Sequence, residues 1–151
     1  PDGSVALTGR AKDTIVLSSG ENIEPGPLEE ALVASPLIEQ VMLVGQDERQ
    51  LGGLIVPHAE AIVAWTAEAG VSVAEDLGGK PGDPALLRLL MRECNRLLKQ
   101  RPGSRGDERL AGVVLVDPFS IENGLLTQTL KQRRDRITSR DQQLIDGLYR
   151  R

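Results

Sequence analysis

The stretch TIVLSSGENIEPGPLEEALVA, residues 14–34, passes from an apolar run through a turn into a helix. Thr14 to Leu17 is β-rich, and Ser18-Ser19-Gly20 is a turn signal. Two prolines follow. The apolar positions from Leu28 through Leu32, with Glu29 and Glu30 where first-turn carboxylates favour the helix dipole, predict a short helix from about Pro27 to Ala34. Pro36 ends it. Upstream, the Asp2-Gly3 turn and the run Val5 to Leu7 predict a strand pairing antiparallel with Thr14–Leu17.

Downstream, Ile38 to Gly45 and Leu54 to Val56 bracket the polar QDERQ and predict a hairpin or neighbouring strands. Ala59 to Ala69 suits a short helix stopped by Gly70, and residues 70–83 form a loop. DPALLRLLMRECNRLLK, residues 83–99, is the clearest helix. Asp83 occupies the N-cap, Pro84 the first helical position, and Leu86, Leu87, Leu90, Cys94, Leu97 and Leu98 recur at helical spacing. RPGSRGDER (101–109) reads as a polar loop, Val113 to Val116 as a strand, and Asn123-Gly124 as a turn favouring positive φ. Ile137, Leu144, Ile145 and Leu148 predict one helix from about Gln132 to Tyr149. Short strands mixed with three or four helices give an α+β class: a small mixed domain with a short N-terminal β-hairpin and a central antiparallel or mixed sheet flanked by helices.

The chain has 151 residues with 40% hydrophobic and 26% charged positions, a composition of one compact domain or two very small ones and not of a disordered tail. No apolar run approaches the roughly 20 residues of a membrane span, and no charged-then-apolar leader opens the chain, so the expected setting is cytoplasmic, at most peripheral to a membrane. The opening on Pro1, without an initiator Met, points to a piece of a longer chain. One cysteine, Cys94, excludes an internal disulfide, and one histidine, His58, leaves no metal-ligand set. Three aromatic residues, Trp65, Phe119 and Tyr149, offer little stacking surface for single-stranded nucleic acid, and a net charge of −4 disfavours polyanions in general. That mean hides an asymmetry: acids dominate Glu21 to Glu60, and bases dominate Lys131 to Arg151.

Three polar clusters are candidates for chemistry: Gly9-Arg10-Ala11-Lys12-Asp13, Ser18-Ser19-Gly20-Glu21-Asn22, and Asn123 through Lys131. None is a phosphate loop of the GxxxxGK[ST] type. Taken singly, each reads equally well as a charged turn, a reverse turn and a solvated lysine. His58 lacks partners for acid–base work, Cys94 lies on an apolar face, Glu29 reads as a cap or salt-bridge residue, and Trp65 as packing.

Together and in this order, the clusters resemble the C-terminal domain of the adenylate-forming superfamily, which holds acyl- and aryl-CoA synthetases, luciferases and peptide-synthetase adenylation domains. GRAKD followed by GENIEP, then VMLVGQD, GGLIVP and NGLLTQTLK, carries the likeness across nearly the whole chain. The closing NGLLTQTLK form is closest to the long-chain fatty acid branch. The resemblance implies a two-step ligase. A fatty acid carboxylate attacks the α-phosphate of ATP, accompanied by Mg²⁺, to give acyl-AMP and pyrophosphate. A thiol, coenzyme A or alternatively acyl carrier protein, then displaces AMP.

By the same resemblance Lys131 is the catalytic adenylation lysine, Arg10 steadies the nucleotide, Lys12 is the hinge, and Gly20, Glu21 and Asn22 line the thiol channel. Residues 1–12 become a hinge-proximal segment and 13–151 a mobile domain that works against its own N-terminal adenylation domain, which holds most of the ATP and Mg²⁺ site. Two positions depart from the family's common pattern: Gln128 stands where Pro is frequent, and Leu130 where Gly is. The basic run Arg133, Arg134, Arg136 and Arg140 reads either as a solvated face or as a contact for acidic acyl carrier protein. A non-catalytic binding module of the same fold is the rival from another class.

Overall fold

The computed structural model describes residues 14–73, 77, 79–80, 82–104, 106 and 108–149. The 70–83 stretch and the 101–109 loop are therefore described only in part, and Val5–Leu7, Arg10 and Lys12 lie outside the described residues. Strand β1 (Ile15–Val16) pairs antiparallel with β2 (Asn22–Ile23), in the register Ile15 to Ile23 and Val16 to Asn22. The run at Thr14–Leu17 thus finds its partner across the Ser18–Gly20 turn.

Helix α1 spans Pro25–Val33, two residues earlier than the sequence suggests, because Pro25 serves as a preorganised first helical residue after extended Glu24. Glu29 is consequently not in the first turn and faces inward, buried, instead of serving the helix dipole. Strands β3 (Ile38–Val44) and β4 (Leu51–Pro57) form an antiparallel hairpin, and β5 (Leu110–Leu115) adds parallel to β4, giving the mixed order β3–β4–β5. Between β4 and β5 run α2 (Ala59–Glu68) and α3 (Pro84–Lys99). Asp83 caps α3 through its Oδ1, which accepts from the Ala85 and Leu86 amides at 2.8 and 3.4 Å.

The central strand β4 is covered on both faces, and six of its seven residues are buried. Strict alternation sends Val41, Leu43, Ile55, Val113 and Leu115 into one core with Leu28 and Leu32 of α1 and Leu86, Leu90, Cys94 and Leu98 of α3. Met42, Leu54, Val56, Val114 and Val116 enter a second core with Phe119, Leu125, Ile137, Ile145 and Leu148. Cys94 is fully buried, and burial first, then the neighbouring Glu93 carboxylate, pushes its thiol up to about 12. Trp65 packs partly buried against the first core, as the sequence suggests. His58 caps α2, its Nδ1 accepting from the Ala61 amide at 3.3 Å.

The expected single terminal helix is two: α4 (Arg134–Arg140) and α5 (Gln142–Tyr149). The break falls at Asp141, a residue type that favours caps over helix interiors. Its carboxylate is 7% exposed and accepts from Arg140 Nε at 3.0 Å and from a second Arg140 nitrogen at 2.8 Å. Strand β4 also starts three residues before the apolar run at Leu54, because Gly52 makes room for α5: a Cβ there meets Leu148 Cδ2 at 2.8 Å and Tyr149 Oη at 3.0 Å. Gly52→Ala is expected to destabilise the fold by about 1–3 kcal/mol in urea denaturation, since both contacts are overpacked. An unchanged midpoint refutes that.

Candidate functional site

The loop that presents Lys131 is built from Asn123 outward. Asn123 Oδ1 accepts from the Ser120 and Leu125 amides at 3.0 and 3.1 Å, and its Nδ2 donates to the Pro118 carbonyl at 2.9 Å. Gly124 follows at φ 79°, the positive value expected of it. The chain then turns tightly. Leu126 bridges Gln132 antiparallel, the Thr127 amide donates to the Lys131 carbonyl at 2.8 Å, and the Lys131 amide donates to Thr127 Oγ1 at 3.0 Å. Thr127 therefore holds Lys131 by both of its backbone polar groups. The Lys131 side chain is exposed, with no ion pair or side-chain hydrogen bond among the described residues.

Leu130 closes this turn at φ 65°, a left-handed conformation that strains a residue with a Cβ, and it is 66% exposed. That geometry accounts for the departure noted at this position, because glycine takes the same φ freely. Leu130→Gly is expected to keep the turn and to change stability by less than about 1 kcal/mol, the relieved strain offsetting glycine's greater unfolded freedom. Loss of more than that in thermal unfolding contradicts the assignment.

Two side chains next to the lysine anchor the loop. Gln132 Nε2 donates to the Val41 carbonyl at 2.7 Å. Arg134 forks onto Glu29, with nitrogen–oxygen distances of 2.8 and 2.6 Å, and the same carboxylate accepts the Leu43 amide at 2.8 Å. One buried acid thereby ties α1, β3 and α4 together directly behind Lys131. Gln132 Oε1 and Arg133 Nε are buried here without a partner among the described residues. An open groove of about 530 Å³ runs past the lysine between α1, β3 and this loop, lined among others by Glu29, Glu30, Glu39, Val41 and Leu130. Its single exposed ammonium on a rigid tip can reach an anion brought from outside; the groove's other titratable walls are mostly acidic.

The second cluster sits on the β1–β2 turn. Gly20 takes φ 90° with nothing within 4 Å of an added Cβ, so the backbone there is open to an approaching group. The Leu17 amide donates to the Glu21 carbonyl at 2.9 Å, and the Gly20 amide to the Leu17 carbonyl at 2.8 Å. This turn docks on the β3–β4 connection, where the Ser18 amide donates to the Glu48 carbonyl and the Asp47 amide to the Val16 carbonyl, each at 2.9 Å. Lys131 instead lies beside the Gln40–Val41 part of β3, and none of the grooves described contains both it and Gly20, Glu21 or Asn22.

The Glu29–Arg134 fork and the double grip of Thr127 escape sequence reasoning. The fork joins residues 105 positions apart, and Thr127 looks like any loop threonine. Among the described residues no group of three or more His, Cys, Asp or Glu could hold a metal ion, and no helix is long and apolar enough to cross a membrane.

Residues 12–75 match the family described as the AMP-binding enzyme C-terminal domain. The chain is 40% identical over 149 residues to the chloroplastic long-chain-fatty-acid–[acyl-carrier-protein] ligase AEE15 of Arabidopsis thaliana, covering 97% of this chain and 18% of that protein. It is 30% identical over 150 residues to the long-chain-fatty-acid–CoA ligase FadD15 of Mycobacterium tuberculosis, covering 98% of this chain and 24% of that one. Among solved structures, the A-PCP didomain of carboxylic acid reductase from Segniliparus rugosus in complex with AMP superposes with a TM-score of 0.73 at 27% identity, over 93% of this chain and 18% of that one. The chain thus spans about a fifth of the length of the proteins it matches.

Proposed function

This chain belongs to the AMP-binding enzyme C-terminal domain family of adenylate-forming enzymes, and on that premise we propose that it is the mobile domain of an ATP-dependent long-chain fatty acid ligase. Residues 13–151 form that domain and residues 1–12 the segment next to its hinge. The observation that carries the reading is Lys131: an ammonium without a partner among the described residues, on a loop whose backbone Thr127 and Glu29–Arg134 hold fixed.

In the first step a carboxylate oxygen bonds to the α-phosphorus of ATP and the bond to pyrophosphate breaks. Two anions are forced together, and a fixed cation between them stabilises the developing charge by several kcal/mol. Lys131 supplies that cation with a long stem and a compact head. In the second step the thiol sulfur bonds to the acyl carbon and AMP leaves. The turn at Gly20, Glu21 and Asn22 lines the thiol's path, with the open backbone at Gly20 admitting close approach. Arg10 steadies the nucleotide and Lys12 absorbs the rotation between the two arrangements. The Mg²⁺ accompanying ATP is assigned to the partner domain in this reading. We keep the cytoplasmic setting, with at most peripheral membrane contact, as part of the proposal.

Coenzyme A is the acceptor in this reading. Acyl carrier protein is the second reading, favoured by the 40% identity to a ligase that names it against 30% to one that names coenzyme A. The test is fatty-acid-dependent ATP–pyrophosphate exchange by the full-length protein, followed by both acceptors in parallel. Exchange with long-chain acids supports the ligase, and the faster acceptor names the product. No exchange with any carboxylate moves the reading to a non-catalytic module. Lys12→Pro is expected to spare exchange while blocking thioester formation, because a locked φ resists the hinge rotation; an unimpaired second step sinks the hinge assignment.

A further inference from the structure

Helix α3 turns a row of cations outward. Arg88, Arg92, Arg96 and Lys99 follow one another at intervals of four, four and three, which places them on one face. All four are exposed, and the row runs roughly 16 Å along the helix. Only Arg96 is paired within the described residues, with Glu93 at 2.6 Å; Arg88, Arg92 and Lys99 carry no salt bridge there. Arg92, Arg96 and Lys99 of the row line a groove of about 750 Å³ together with Met91, Asn95, Arg109 and one acid, Glu108, which is paired with Arg101. Asn95 ties the helix side of that groove to β5: its Oδ1 accepts the Leu110 amide at 2.6 Å and its Nδ2 donates to the Leu110 carbonyl at 3.0 Å. In a chain of net charge −4, this is a local concentration of positive charge.

Two arginines of the terminal helices are committed elsewhere. Arg134 is forked on Glu29. Arg140 binds Asp141 and the Asp117 and Pro118 carbonyls, and lies 5.4 Å over the Phe119 ring. An acidic partner therefore meets three cations without a salt bridge among the described residues in one row on α3, whereas two of the four arginines of the basic C-terminal run are held in ion pairs.

We propose that the outer face of α3 is a docking surface for an acidic helical segment of a partner protein. Carboxylates spaced one helical turn apart match the guanidinium spacing of the row, and the groove gives them a concave seat. A bilayer fits less well. The exposed large apolar residues Val33, Val63, Ile121 and Leu130 lie off this face, which has no aromatic anchor. Single-stranded nucleic acid lacks a stacking residue here. The cations are too exposed and too spread to cage one small anion. Pairs of this kind are individually weak, so the association is transient and salt-sensitive.

The proposal rests on the ligase reading for its probe, a purified acyl carrier protein as the acidic helical partner. Binding of that protein to the full-length enzyme is measured by fluorescence anisotropy at low and at physiological salt, beside anionic phosphatidylserine vesicles and duplex DNA. The triple variant Arg88→Glu, Arg92→Glu, Lys99→Glu is expected to weaken carrier binding at least about tenfold and to raise KM for the carrier. ATP–pyrophosphate exchange and thioester formation with coenzyme A stay unchanged. The Lys variants of Arg88 and Arg92 retain binding, because charge and not shape is read. Native carrier binding by the triple variant, or no carrier binding by an enzyme active in exchange, overturns the proposal. So does a loss confined to vesicles or DNA. A native enzyme without exchange defeats the ligase reading instead, and the carrier-binding comparison still reads the surface.

Discussion

Full-length enzyme carrying Lys131→Ala loses fatty-acid-dependent ATP–pyrophosphate exchange by roughly 10²–10³-fold, the range that follows removal of one preorganised charge-stabilising group. Thioester formation from supplied acyl-AMP stays within about threefold of the native rate, because that step breaks an acyl–phosphate bond away from the lysine. The backbone grip of Thr127 on residue 131 does not involve the lysine side chain, so the truncation leaves the turn in place. Single-turnover assays of each half-reaction separate the two outcomes. An equal fall in both half-reactions rejects the assigned role.

The second large effect is on stability. Glu29→Ala deletes the carboxylate that Arg134 grips with two bonds, in a pair whose side chains are 23% and 11% exposed, and removes the acceptor of the Leu43 amide. Breaking a largely buried pair by deleting one partner costs about 3–5 kcal/mol, a large share of the about 5–15 kcal/mol that holds a domain together. Urea denaturation is expected to show that loss. The double variant Glu29→Leu/Arg134→Met recovers much of it, since a matched apolar pair leaves no buried charge. A loss below about 1 kcal/mol for the single variant contradicts the geometry. Exchange activity is expected to fall in both variants, stable or not, because neither keeps the Glu29–Arg134 anchor behind Lys131.

Much of this architecture was legible because the signals were local. Asp83-Pro84 marked the start of α3, and the leucine spacing marked its buried face. The β-rich run from Ile38 to Gly45 gave β3. The misses have a common cause, namely that the information lay in distant residues. The second strand was expected only from Leu54, and its start at Leu51 has Gly52 lying against Leu148 and Tyr149 of α5. One terminal helix was expected from Gln132 to Tyr149, and it breaks at Asp141, whose carboxylate Arg140 holds. Glu29 read as a cap or salt-bridge residue; the second of those alternatives holds, with a partner no local pattern could name. Of the candidate site, the order of GRAKD, GENIEP and the lysine loop was visible at once. The rigidity of that loop was not, because it depends on Thr127, Gln132 and Arg134 reaching across the fold.

Cys94 bears on how motion of this domain can be watched. Its sulfur is fully buried and its thiol is pushed up to about 12, so near neutral pH it is protonated and shielded from maleimides and from oxidants. One cysteine introduced on the exposed surface therefore takes a dye stoichiometrically while Cys94 stays silent. A spectroscopic ruler can then be placed on the domain without first rebuilding its core.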